Sequence, residues 1–307
     1  MTTKLTQHSA APVTPVRLNR IAAAVDSHPE GNDAAVLAAA IARAVDGDVV
    51  LASIEPELAL VIPGADWRLV RRETKAMLGR TRDAFAPAAR SAIDSDLSAA
   101  RGLRRILRQE HRELVVCGSS HRGDTDRVSI GHTTRQLVEA GYALAIAPRG
   151  LRSHGELAIK HIGVGYDGGP EAHAALAWAA GIAEGSGARL SVRGVIDDRI
   201  PALGWPSLWI EPFRGLWNEV MDDEVETLRA NIEAATAGLS VPVAIAVQRD
   251  TPADSLIDLS VTSDLLVIGS RRWGPMARLV LGGTGEALVR GAYCSLLIVP
   301  RPPETES

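Results

Sequence analysis

Two sets of residues in this chain have the types and spacing to hold a phosphate. Each set has three parts. An aspartate closes a short apolar run, at Asp26 and again at Asp167. A glycine closes a later run, at Gly118 and at Gly269. Thirteen residues after that glycine comes a second glycine turn, Gly131-His132-Thr133-Thr134 or Gly282-Gly283-Thr284-Gly285. A glycine turn that opens a helix offers free backbone N–H groups and the positive end of the helix dipole, which is what a phosphate needs. Thr133 or Thr284 adds a hydroxyl donor. The carboxylate of Asp26 or Asp167 can accept hydrogen bonds from a base or a sugar. Glycines between a strand and a helix are more often plain turn residues. Two copies with equal spacing, each with its own aspartate, strengthen the ligand reading, although a duplicated fold also duplicates its turns.

Other signals are weaker. Asp124 and Asp126 have the chemistry for Mg2+ beside a polyphosphate, but a solvated loop explains them more simply. Arg271, Arg272 and Arg278 put positive charge near the second loop. The eight histidines show no metal-ligand spacing. No serine elbow, Cys/His pair or supported carboxylate pair points to catalysis, so neither a catalytic nor a metal site is expected. Trp205, Trp209, Phe213 and Trp217 recur every four residues, while Pro206 and Pro212 argue against one clean helix. That cluster reads either as the cover of a core edge or as a surface for a protein partner.

The elements that must position these residues come as a repeat. Residues 21–25 with Asp26, a turn holding Pro29 and Glu30, and an Ala-rich stretch over 34–45 return as 162–166 with Asp167, Pro170 with Glu171, and an Ala-rich stretch over 172–183. Each copy closes on a short apolar run and Pro-Arg, 143–146 before Pro148-Arg149 and 296–299 before Pro300-Arg301. The aspartates stand 141 residues apart and the strand-ending glycines 151. The second copy therefore carries about ten extra residues, which we place in 199–217. Short apolar runs alternating with longer amphipathic stretches are the βαβ pattern of a parallel sheet covered on both faces. Strands are expected at 21–25, 49–54, 91–97, 114–117 and 143–147, then at 162–166, 190–196, 242–247, 265–268 and 296–299. The prediction is two Rossmann-like doubly wound α/β domains over 20–150 and 156–302, each a five-stranded parallel sheet with helices on both faces. A polar connection over 150–155 joins them, and a flexible tail over 1–19 precedes them. In such sheets ligands bind beyond the carboxyl ends of the strands, where strand order reverses, and all three parts of each set gather there.

Composition agrees with two domains in 307 residues. The hydrophobic fraction of 46% supports real cores, and a net charge of -4 gives no reason to expect a nucleic-acid partner. No apolar stretch approaches the ~20 residues that cross a bilayer, so no membrane partner is expected. The N-terminus lacks the basic-then-apolar order of a signal peptide. Cys117 and Cys294 fit no disulfide framework and read as buried small hydrophobes of a cytoplasmic protein.

From about residue 20 to 149 and from 161 to 301 the chain resembles the universal stress protein family in its tandem form. The match is most specific over 267–283, against the family's Gly-x2-Gly-x9-Gly-Ser/Thr motif. The resemblance implies a stress-response protein that binds ATP or another adenine nucleotide, with or without Mg2+, and is not an efficient enzyme. It implies that Asp26 and Asp167 lie at the adenine and that the backbone of Ile54 and Val195 lies near the base. The phosphate loops become Gly118 with Gly131 and Gly269 with Gly282. The chain departs from the motif at its second glycine, which is His121 or Arg272, and at its Ser/Thr, which is His132 or Gly283. Gly283 keeps its N–H and Thr284 follows at once, whereas His132 adds bulk. The second copy is therefore expected to be the better nucleotide site. The departures also leave room for a family member that binds no nucleotide and acts as a dimeric scaffold, and slow ATP hydrolysis or autophosphorylation is a third reading. The resemblance further implies that 143–147 and 296–299 pair antiparallel across a pseudo-twofold, and that two such chains form a dimer.

Overall fold

Among the described residues there are eleven strands, and the two Ala-rich segments form helices packed on one face of their sheet. A computed structural model describes residues 11–56, 66–121, 126–197, 211–273, 278–280 and 282–300, with backbone alone over 211–214, 271–273 and 278–280. The first half runs β1 (Arg20–Ala24), α1 (Pro29–Val45), β2 (Asp48–Pro56), α2 (Trp67–Phe85), β3 (Arg90–Asp96), α3 (Ala99–Gln109), β4 (Leu114–Gly118), α4 (His132–Glu139) and β5 (Ala143–Ala147). After a short 3-10 turn over Leu151–His154, the second half runs β6 (His161–Tyr166), α5 (Pro170–Ser186), β7 (Arg189–Ile196), α6 (Glu211–Thr236), β8 (Val243–Arg249), α7 (Pro252–Val261), β9 (Leu265–Trp273), β10 (Arg278–Val280), α8 (Gly283–Gly291) and β11 (Ser295–Pro300).

The strands form one sheet in the order β3-β2-β1-β4-β5-β11-β9-β6-β7-β8. Pairing is parallel within each half except for β10, which lies antiparallel on β9, and the seam between halves is antiparallel, with Leu296 opposite Ile146 and Ile298 opposite Leu144. The two halves are thus mirror-ordered about the β5–β11 seam, as the tandem resemblance implied. Alternation along the strands splits the core between the two faces. Ile21, Leu51, Leu114 and Val116 join α1, α2, α5 and α6 on one face. Ala22, Ala52, Val115 and Cys117 join α3, α4, α7 and α8 on the other. The connection is held by buried Asp33 of α1, whose carboxylate accepts N–H bonds from Gly150 and Arg152 and pairs with the Arg152 guanidinium at 2.8 Å.

Three expectations need correction. Residues 11–19 are not a loose tail: Val13 and Leu18 are buried, and the N–H groups of Val13 and Val16 donate to Ala235 of α6 and Ala177 of α5 at 2.9 and 3.0 Å. The reason is an apolar pair, two residues too sparse to read as an element, that lies over helices of the other half. The strand expected at 265–268 continues to Trp273 and folds back as β10, with Leu279 opposite Arg272. A three-residue strand falls below any periodicity signal. Pro212 does not prevent a helix through the aromatic segment; it sits one residue after the start of α6, where its missing N–H is harmless. Trp217 packs half-buried on the core, and Trp205, Pro206 and Trp209 lie outside the described residues.

At the outer edge, Asp94 and Asp96 of β3 face Arg101 and Arg105 of α3. Arg101, together with the N–H of Ser98, draws the Asp96 carboxyl from its ordinary 3.8 to about 2. A carboxylate with a folded pKa below its unfolded one stabilises the fold above the unfolded value and loses that contribution as pH falls through the folded one. Asp96→Asn is therefore expected to flatten the loss of stability between about pH 4 and about pH 2. Urea unfolding at stepped pH measures it, and a curve of unchanged steepness would contradict the assignment.

Candidate functional site

Strand order reverses between β1 and β4 in the first half and between β6 and β9 in the second. A cavity opens beyond the carboxyl ends of each pair, where crevice binding belongs. The second-half cavity is about 400 Å³ and is lined by Asp167, Val195, Gly269, Gly282, Gly283 and Thr284 together. Five of these six lie at or next to element ends: Asp167 follows β6, Val195 is the last residue but one of β7, Gly282 caps α8, and Gly283 and Thr284 open it. Asp167 Oδ1 accepts the N–H of Gly169 at 3.0 Å. Arg272 is placed in β9 by its backbone, and its side chain lies outside the description, as do those of Arg271 and Arg278.

The first-half cavity is about 590 Å³ and gathers Asp26, Ile54, Gly118, Gly131, His132 and Thr133. His28 binds back to Asp26, its N–H reaching Oδ1 at 3.0 Å and its Nδ1 lying 3.1 Å from Oδ2. The His28 ring stacks on His121, centroids 5.2 Å apart. Cys117 lines the same cavity as a neutral thiol, pushed up to about 12 by burial. Asp124 lies outside the described residues, and Asp126 is exposed, away from the cavity lining.

The five glycines separate into two kinds. A Cβ on Gly118 would stand 2.1 Å from the Glu30 carbonyl oxygen, and one on Gly269 2.5 Å from that of Glu171. Gly118, which ends β4, and Gly269, within β9, are required by packing against the first turn of α1 or α5. A Cβ on Gly131, Gly282 or Gly283 would meet nothing within 4 Å. Only these face open space, and α4 and α8 begin there without a side-chain cap.

Sequence reasoning missed Arg193 and Asp197 of the second cavity and His28 and Glu30 of the first. Arg193 held the clearest signal, a charge in the interior of a strand, directly after Val192; its Nη1 reaches Ser255 Oγ at 3.2 Å and Gln248 Oε1 at 3.3 Å. The repeated Pro-Glu of the turns marked Glu30 and Glu171. Among the described residues no group of three His, Cys, Asp or Glu is arranged to hold a metal, and no helix is long and apolar enough to cross a membrane.

A sheet of two mirror-ordered halves, with a cavity at the switch point of each, defines a fused pair of doubly wound α/β domains. Residues 18–140 and 158–300 both match the universal stress protein family, and the chain belongs to that family. A universal stress protein of Mycobacterium tuberculosis is 29% identical over 195 residues, covering 61% of each chain. One of Mycolicibacterium smegmatis is 30% identical over 146 residues, covering 44% of this chain and 46% of its own. The chain spans about three fifths of the length of the curated relatives it matches first. Among solved structures, a universal stress protein from Archaeoglobus fulgidus superposes with a TM-score of 0.63 at 14% identity over 94% of this chain and 100% of that one. A Pseudomonas aeruginosa protein of unknown function gives 0.60 at 15% over 92% and 93%. At these identities the likeness carries the fold alone.

Proposed function

We propose that the chain is an adenine-nucleotide-binding regulatory module of the stress response, with ATP held in the second pocket. The observation that carries this is the convergence of Asp167, Val195, Gly282, Gly283 and Thr284 on one cavity at a switch point. In this reading Asp167 and the backbone of Val195 receive the adenine end. The N–H groups at the start of α8 and the Thr284 hydroxyl receive phosphate, and Mg2+ enters as the counter-ion of the polyphosphate rather than through protein carboxylates. Each half, 20–150 and 156–302, is one binding unit. The chain works in the cytoplasm as a binder rather than a catalyst, as a dimer of tandem chains, with residues 205–217 available to a protein partner.

The test is mass spectrometry of nucleotide released from freshly purified, denatured protein, followed by ATP titration. Asp167→Ala is expected to weaken ATP at least about tenfold, near 1.4 kcal/mol, while Asp26→Ala changes it less than about twofold. Stronger loss from Asp26→Ala would reverse the ranking of the pockets. His121, His132 and Arg272 favour a second reading, a scaffold that binds no nucleotide. Absence of any released nucleotide, with no ATP-induced rise in melting temperature, would establish that reading instead.

A further inference from the structure

The floors of the two pockets differ at one register position. Two residues before Asp26 and Asp167, Ala24 of β1 pairs with Ala52 of β2, and Gly165 of β6 pairs with Arg193 of β7. All four line their cavities, so a guanidinium stands in the second pocket where the first has a methyl group. We infer that Arg193 reads the sugar edge of an adenine nucleotide, the ring N3 and the ribose 2′-hydroxyl, and so makes the second pocket selective for ribonucleotides. The inference rests on the adenine-nucleotide reading of that pocket.

Arg193 is held without a counter-ion. Arg71, Arg105, Arg112 and Arg152 are buried or half-buried, and each has a carboxylate at 2.9 Å or closer. Arg193 is half-buried too, but its partners are two neutral acceptors: Nη1 donates to Ser255 Oγ at 3.2 Å and to Gln248 Oε1 at 3.3 Å. Asp167, Glu171 and Asp197 line the same cavity, and none forms an ion pair with it. A guanidinium drawn from water without a carboxylate costs stability. Departures of that kind belong to functional sites.

The same bonds fix which donors remain. Ser255 is wholly buried in the first turn of α7. Gln248 Nε2 donates to Ser255 Oγ at 2.7 Å and to Asp250 Oδ2 at 3.2 Å, which turns its Oε1 toward Arg193. With Nη1 engaged on that side, Nε and Nη2 make no hydrogen bond among the described residues and form a fork of two parallel N–H groups. Arg193 shares β7 with Val195, and β6 separates it from β9, whose chain leads on to α8. The fork therefore meets the nucleoside and not the phosphates. A fork of donors alone needs two neighbouring acceptors, and adenosine offers them on one edge. N7 and N1 each lie beside the donating 6-amino group, whereas N3 lies beside the ribose 2′-oxygen. The 6-amino group suits Asp167, an acceptor, instead.

The experiment titrates the full chain calorimetrically with ATP, 2′-deoxy-ATP, 3-deaza-ATP and 7-deaza-ATP, in the Asp26→Ala variant so that the second pocket is read. ATP is expected to bind at least roughly tenfold tighter than the 2′-deoxy and 3-deaza analogues, and within about threefold of the 7-deaza one. Adding Arg193→Met weakens ATP at least roughly tenfold and brings all four ligands within about threefold of one another. Arg193→Lys keeps the charge without the fork and loses the discrimination as well. Ala52 fills the corresponding position of the first half, so this strand position does not require the guanidinium for folding. An arginine with a merely structural role would weaken all four ligands alike. Equal binding of ATP and 2′-deoxy-ATP, a loss on 7-deaza and not on 3-deaza substitution, or discrimination that survives Arg193→Met overturns the inference and leaves the adenine reading standing. No binding of any of the four defeats both.

Discussion

Gly269→Ala is expected to lower the unfolding free energy by about 2–4 kcal/mol, and Gly282→Ala by less than about 1 kcal/mol while weakening ATP at least about tenfold. The same added methyl has opposite consequences because the two sites face different things. At Gly269 it meets the backbone of Glu171 at 2.5 Å, and backbone cannot rotate aside, so β9 and α5 must part. At Gly282 it meets nothing within 4 Å, and the backbone there, φ -63 and ψ 172, suits any residue. The methyl is left standing in the space where phosphate approaches α8. Denaturant unfolding and ATP calorimetry on both variants separate the outcomes. A stable Gly269→Ala would remove the packing explanation, and full ATP affinity in Gly282→Ala would remove the phosphate from this turn.

The largest effect on the whole molecule is expected at Gly185. A Cβ there would sit 1.6 Å from the carbonyl oxygen of Ala44, at the crossing of α1 and α5. Helices in such backbone contact have no side chain to repack, so Gly185→Ala forces the halves apart on that face. The expected loss is about 3 kcal/mol, or roughly 5–10 °C in melting temperature. The strain reaches beyond the helices, because the β5–β11 pairing and the Arg135–Glu286 bridge, 2.7 Å long, share the same seam. Gly79→Ala serves as the control. It lies in α2 with nothing within 4 Å of a Cβ, so it should stabilise by about 0.5–1 kcal/mol. A scan in which the two variants shift together would mean that α1 and α5 do not meet as closely as described.

Much of this architecture was legible because parallel strands buried on both faces read as short apolar runs, and because a duplication repeats its landmarks. Asp26 and Asp167 stood out as a repeated acid after the first strand of each half, and each lines a cavity. What escaped was set by contacts distant in the chain. Nothing local in Val13 or Leu18 announces that they lie over α5 and α6. His28 and His121 are unremarkable singly and acquire meaning only when the fold stacks them. Gly118 and Gly269 were read toward phosphate on the resemblance, whereas the distances to Glu30 and Glu171 assign them to helix packing.

The segment over 13–18 has a consequence for the order in which the molecule is completed. Its hydrogen-bond acceptor on α6, Ala235, is synthesised more than 200 residues after Val13. At ordinary elongation speeds of about 5–20 residues per second, that is a wait of roughly 10–45 s. Residues 13–18 are therefore made long before they can seat, and they close over Gly181 only once the second half exists. Anything that occupies them during translation, including an affinity tag fused at the N-terminus, competes with that closure.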